Sequence, residues 1–249
     1  MKSRERWSWQ VGLLCSLLCL SALVYFIQYQ IFRDLYHTFY YLIGDIGFLP
    51  IEVLLVTFVI HRLLSQREKR VRLEKLNMVI GAFFSEVGTT LLTYLSDVDP
   101  QLDSIRKDLI VTGSWSEVEF ASISKRLRDY DYGVEIEKVH LEDLRGFLLG
   151  KRDFLLRLLE NPNLLEHESF TELLRAVFHL TEELTCREDV TKLPETDTRH
   201  VAGDIQRAYG LLVHQWLDYM KHLKYNYPYL FSLAMRTNPF DRTASPIVR

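Results

Sequence analysis

Apolar positions crowd into the first quarter of the chain and then settle into a helical rhythm. From Val11 to Phe32 there is no charged residue, and the amides Gln28 and Gln30 come late in the run. At 1.5 Å per residue a stretch of that length crosses a hydrocarbon core of ~30 Å, so it reads as a transmembrane helix. A secretory signal peptide is the rival reading. The run is too long for one, it ends in tyrosines and glutamines, and no small-x-small cleavage site follows. A second apolar run extends from about 42 to 64, interrupted early by Gly44, Asp45, Gly47 and Pro50. Proline suits the first turn of a helix, where the amide hydrogen it lacks would have no intrahelical partner. The continuous second helix is therefore expected to begin near Pro50, after a bend or a partly unwound entrance. Between the runs, residues 33–41 read as a short aromatic connection. Tyr36, Phe39, Tyr40 and Tyr41 join Tyr25 and Tyr29 near one interface, where such rings favour the headgroup layer.

After a basic collar the period changes. Leu73, Leu76, Ile80, Phe83, Val87, Leu91 and Tyr94 recur at alternating spacings of three and four, the signature of an amphipathic helix. The pattern predicts a stalk over 65–98, continuing inward from the second span. Its seam resembles that of a coiled coil, so Leu76, Ile80, Phe83 and Val87 are candidates for packing on the protein's own bundle or for self-association. Gly81, Ser85 and Gly88 place small side chains along one flank and predict close helix approach. Residues 76–95 also pass as a third span, against which Asn77, Glu86 and several hydroxyl residues argue.

Helical periodicity continues to the end of the chain. Helices are expected at 100–110, 115–130, 139–160, 169–187 and 197–225, with a short one near 229–235. Asp99 before Pro100 is a helix start, and Ser114 with Glu117 and Ser169 with Glu172 have capping-box spacing. Breaks fall at Gly113, at Tyr132 and Gly133, at Asn161 and Pro162, and in the polar stretch 187–196. No alternating strand pattern appears. The fold class is all-α: a transmembrane hairpin over 1–64, with spans at about 11–32 and 42–64, the stalk at 65–98, a cytoplasmic helical domain at 99–237, and a flexible tail at 238–249.

Charge sets the orientation. Lys2, Arg4 and Arg6 precede the first span, Arg33 alone lies between the spans, and Arg62, Arg67, Lys69, Arg70, Arg72 and Lys75 follow the second. By the positive-inside rule both termini face the cytoplasm of a two-span cell-membrane protein, with the lipid bilayer as its surroundings. The net charge of −3 gives no electrostatic case for nucleic acid. Of the three cysteines, Cys15 and Cys19 lie in the first apolar run and Cys186 stands alone, so neither a disulfide framework nor a Cys-x-x-Cys metal knuckle is present.

Few residues carry a chemical signal. Asp45 and Glu52 are seven apart and share a face on a continuous helix. Ionisable groups at membrane depth are costly, so the pair is a candidate ion path in an oligomer, set against interfacial and helix-start roles. His214, Asp218 and His222 recur at spacings of four, but a helical wheel puts them on the flank and solvent face, away from Val201, Ile205, Ala208, Leu212, Trp216, Tyr219 and Leu223. The same arithmetic sets Glu172, His179 and Glu183 opposite Phe170, Leu174, Val177 and Leu184. Glu137 and His140 form a single Glu-x-x-His, where a di-iron bundle needs two. No metal site, cofactor or catalytic residue is therefore expected, and nucleotide-binding, serine-hydrolase and zinc-protease patterns are absent.

The blocks GDIGFLPIEVLLVTFVI with KLNMVIGAFFSEVG, NPNLLEHESFTELLRAVFHLTEEL and YPYLFSLAMRTNPF resemble those of an uncharacterised family of prokaryotic two-span integral membrane proteins. That resemblance implies a membrane location and carries no functional residue with it. The expectation is a membrane-anchored interaction or regulatory module that presents a helical surface to a cytoplasmic protein partner or to a second copy of itself. Alternatives are an oligomeric channel or transport component using Asp45 and Glu52, and a membrane-bound helical metalloenzyme.

Overall fold

The computed structural model describes residues 2–162, 164 and 167–248, with side chains described for all of these except 2–14, 32, 35, 37, 38, 69–73 and 75. The basic residues before the first span, most of the collar after the second, and Leu73 of the stripe thus lie outside the described side chains. Helices are the only regular elements among the described residues. The chain divides into two compact units, Met1–Lys69 and Arg70–Arg249. The dividing point falls inside a helix.

The first unit holds α1, Lys2–Phe32, and the first part of α2, Leu35–Phe83. The connection is tighter than the aromatic loop expected at 33–41. Arg33 adopts a left-handed conformation, φ 51°, and its amide closes the end of α1 on the Tyr29 carbonyl at 2.8 Å. Asp34 then caps α2 by accepting the Tyr36 amide at 2.9 Å, so residues 35–41 are already helical. Nor does α2 wait for Pro50, which sits in its interior. One missing amide hydrogen removes a single link from a ladder that is long on both sides.

The second unit begins with the rest of α2. A π-helical turn follows at Phe84–Gly88, and then α3, Thr89–Ser96. Burial here is broader than the sequence stripe. Phe83, Val87, Leu91 and Leu95 are buried, and so are Phe84, Gly88, Leu92 and Ser96, each one position further on. A strict spacing of four drifts by about 40° per step on a helix of 3.6 residues per turn. A π turn, with more residues per turn, takes up part of that drift at its centre. Gly88 makes room for the Phe84 ring: a Cβ there would lie 2.6 Å from Phe84 Cδ1. Gly81 likewise faces the Tyr219 ring, so these small residues admit aromatic rings where close helix approach was expected.

Residues 100–110 do not form one helix. Asp99 accepts the Gln101 amide in a turn, and only short helical pieces follow, Leu102–Ser104 and then α4, Arg106–Leu109. Such side-chain bonds compete with helix formation. The capping box of α5, Glu117–Arg128, uses Ser116 and Glu119, two residues later than expected, while Ser114 bonds Thr112. Three long helices complete the bundle: α6, Leu141–Leu159, α7, Glu168–Thr185, and α8, Glu195–Asn226. His167, not Ser169, caps α7 by accepting the Phe170 amide. α7 packs on both α6 and α8, and α9, Pro228–Arg236, packs on α8. The tail expected to fray from 238 is tied down: Phe240 is fully buried against Trp216, and Asn238 donates to the Leu109 carbonyl at 2.9 Å.

Gly88→Ala is expected to lower the stability of the second unit by about 1–3 kcal/mol, because the Phe84 ring must leave its place. A full-chain thermal midpoint unchanged from wild type would show that the turn yields at no cost.

Candidate functional site

α7 and α8 form a hairpin, and its loop is closed by one cation. The Arg187 guanidinium donates to both carboxylate oxygens of Asp197, at 2.8 and 2.6 Å, and to Glu183 Oε2 at 2.8 Å. These bonds hold Glu183 and Asp197 below the usual carboxylate range and raise Arg187. Bidentate pairing of this kind fixes angle as well as distance. It sets the phase at which the first turns of α8 meet the last turns of α7.

With that phase set, two pairs of residues face each other. His179 and Glu183 are four apart on α7, and His200 and Asp204 are four apart on α8, so each pair occupies one helix face. His179 Nε2 lies 3.5 Å from Asp204 Oδ2 and 3.7 Å from Glu183 Oε1. His200 Nε2 lies 3.4 Å from Asp204 Oδ2 and 3.6 Å from Glu183 Oε2. Asp204 is the buried member, its side chain 4% exposed, and Oδ2 has no hydrogen-bond partner. Its other oxygen faces the exposed Arg207 at 3.4 Å. Among the described residues this is where ligand-type side chains converge: His179, Glu183 and Asp204 each bring an atom within 4.8 Å of the others.

The residues singled out by sequence are placed elsewhere. Asp45 and Glu52 both lie exposed on the continuous α2, and Asp45 accepts a hydrogen bond from Tyr25 at 3.3 Å. Leu76, Ile80, Phe83 and Val87 are buried inside the second unit. Glu172 is exposed, two helical turns before His179. His140 offers its carbonyl to Tyr94, and Glu137 sits in a short 3-10 turn. The row His214, Asp218 and His222 does not gather. His214 stands 3.4 Å from the Tyr132 hydroxyl, and His222 pairs with Asn226. The helical wheel groups the α7 half of the cluster, His179 and Glu183, and does not single out His200 and Asp204. A signal was present: two His-x-x-x-acid pairs, HLTEE and HVAGD, flank a short polar loop.

A second feature is an apolar groove of about 550 Å³, bordered by Met78, Ala82, Tyr219, Leu230 and Leu233. Beside α8 lies a third, a row of rings. Tyr130, Tyr132 and Tyr209 meet edge to face at 4.9 and 5.4 Å, and the Tyr130 hydroxyl donates to Asp99 at 2.8 Å. Burial raises Asp99 and all three tyrosines and lowers His214. These rings fasten loop 129–135 to α8.

Comparison with known proteins places the chain in a family. Residues 72–236 match the family described as "Uncharacterized protein MJ1433, C-terminal helical domain", and residues 2–64 match "MJ1433, N-terminal helical domain". The chain belongs to the MJ1433 family. A relative in Methanocaldococcus jannaschii, described as "Uncharacterized protein MJ1433", is 49% identical over 225 residues, covering 90% of each chain. No solved structure matches. In this MJ1433-family chain the His179, Glu183, His200 and Asp204 cluster lies wholly within the region matched to the C-terminal helical domain.

The His214 shift fixes a pH dependence. The unfolded chain takes up a proton near 6.5, whereas the folded chain holds this ring neutral to lower pH. The contribution is therefore complete above 6.5 and is lost as pH falls below it, at up to about 1.4 kcal/mol per pH unit. His214→Gln is expected to flatten the fall in stability just below that pH, measured by denaturant unfolding at stepped pH. An unchanged slope would assign the titration to other groups.

Proposed function

We propose that the chain is a membrane-anchored helical interaction or regulatory module, anchored by its first unit and working through its second on the cytoplasmic side. The observation that carries this is exposure. Two helical stretches among the described residues are long and apolar enough to cross a membrane, Phe39–Glu68 and Leu76–Ser96. No side chain in the first is buried; Leu54 is 68% exposed and Phe58 is 62% exposed. Each large apolar side chain left in water forgoes roughly 1.5–3 kcal/mol, and a helix apolar on all sides calls for an apolar solvent. In the second stretch Ile80, Phe83, Val87, Leu91 and Leu95 are buried within the second unit, the pattern of a core helix.

The proposed hairpin pairs Phe39–Glu68 with α1, whose described apolar part, Cys15–Ile31, is the shorter of the two, and the count of basic residues at the ends of these two helices supports cytoplasmic termini. The groove beside Met78 and Leu233 is the surface offered to a cytoplasmic protein partner, with a second copy of the chain as the other occupant. A channel role is the second reading. It is favoured by Asp45 and Glu52 lying exposed on a single continuous helix, two turns apart.

In a Cys15→Ser, Cys19→Ser background, the exposed Cys186 is expected to resist a membrane-impermeant maleimide in intact cells and to react after permeabilisation. Labelling of intact cells would reverse the orientation, and release of the protein by alkaline carbonate would remove the anchor. Proteoliposomes of the purified chain are expected to show no ion flux. Flux that disappears in Glu52→Gln would replace the module reading with the channel reading.

A further inference from the structure

We propose that His179, His200, Asp204 and Glu183 form a binding site for one divalent transition metal ion of the zinc type, clamping α7 to α8. The site is independent of the membrane anchor and rests on the geometry of the second unit alone.

Two explanations compete for four ligand-type groups held this close, and distance separates them. Ion pairs in which an imidazolium donates to a carboxylate lie at about 2.7–2.9 Å. The four imidazole-to-carboxylate separations here are 3.4, 3.5, 3.6 and 3.7 Å, beyond that range. A tetrahedral ion with bonds of about 2.0–2.1 Å holds its ligand atoms roughly 3.3–3.4 Å apart, the edge of the tetrahedron. His179 Nε2 and His200 Nε2 both stand near that edge from the shared Asp204 Oδ2; His179, Glu183 and Asp204 each bring a ligand atom within 4.8 Å of the others, and a side-chain movement of His200, which faces Glu183 Oε2, brings it onto the same centre.

Burial gives the second argument. Asp204 Oδ2 is shielded from solvent, lacks a hydrogen-bond partner and points at both imidazole nitrogens. A buried carboxylate oxygen left without a partner is costly, and a cation at the centre of the cluster supplies what it lacks. Two carboxylates and two imidazoles present a formal charge of −2 to the ion when the rings are neutral. Arg187 and Arg207 face the outer sides, Arg187 on Glu183 Oε2 and Arg207 on Asp204 Oδ1. These cations orient the carboxylates and leave Glu183 Oε1 and Asp204 Oδ2 toward the centre.

Donor chemistry selects the class of metal. Two nitrogens and two carboxylate oxygens on rigid helices suit zinc and its first-row neighbours; calcium and magnesium take oxygen sets with six or more ligands. With His200 moved onto the centre every position is filled by protein and the ion is closed to substrate, the arrangement of a structural site. Because the ligands come from both arms of the hairpin, binding requires the folded phase and stabilises it.

The test uses the tag-free full chain in detergent micelles, stripped with chelator and titrated with Zn²⁺ by calorimetry and with Co²⁺ by visible absorption. One ion per chain is expected, together with intense d–d bands of tetrahedral Co²⁺ and a Zn²⁺-dependent rise in thermal midpoint. Asp204→Asn and His200→Gln are expected to weaken binding at least tenfold and to abolish the rise. His200 is 55% exposed, so its variant keeps the fold even if Asp204→Asn does not. Absence of stoichiometric binding in the wild type, or binding unchanged in a folded His200→Gln variant, would overturn the site and leave an ion-pair network.

Discussion

The second unit depends on burying two adjacent rows of one helical segment at once. Phe83 and Phe84 head those rows, and both rings are committed: Phe83 meets Phe170 of α7 edge on at 5.4 Å, and Phe84 stacks on Tyr219 of α8 at 5.0 Å. An amphipathic helix with a single seam has one partner. This segment has two, and so it ties α7 and α8 to a common wedge. The π turn and Gly88 are the local consequences of that demand, since an ordinary turn drifts away from a spacing of four and a Cβ at 88 would displace the Phe84 ring.

Once α7 and α8 share that wedge, their mutual phase remains to be set at the loop end. There the energetics are electrostatic. Arg187 is mostly buried and satisfies Glu183 and Asp197 together, so neither helix can rotate without leaving a charge unpaired. Apolar burial at one level and a bidentate cation at another fix one arrangement of the hairpin, in which His179 and Glu183 face His200 and Asp204. The cluster is a by-product of neither constraint alone.

The two units meet the demand for apolar burial differently. In the second, the large side chains of α7 and α8 are covered by other helices; Leu174, Val177, Leu180, Ile205 and Leu212 have no exposure. In the first, apolar residues surround each helix and find little cover within the unit, so the proposed anchor supplies from lipid what the chain does not supply itself. The hydrophobic fraction of 48% averages over both situations, which is why composition alone resembles that of an ordinary globular protein.

Periodicity and length by themselves determined that the chain is helical, where α5 to α9 lie to within a few residues, and which faces of α7 and α8 are buried. They did so because each of these properties is a relation between residues a few positions apart. The structure departs from these expectations where a local signal has a competitor that spacing alone does not rank, near or far in the chain. Proline at 50 reads as a helix start, yet a long ladder absorbs the gap; Ser114 and Ser169 have capping spacing, yet Ser116 and His167 cap. The tail looked unstructured because nothing nearby marks Phe240 for its place against Trp216. For the candidate site, a helical wheel sets His179 and Glu183 correctly off the hydrophobic stripe and equates that with solvent. Whether an off-stripe face meets water or another helix depends on how α8 crosses α7. That crossing is decided by Arg187 and by the Phe83 and Phe84 wedge, contacts between segments far apart in the chain, so only the tertiary structure brings the four ligands together.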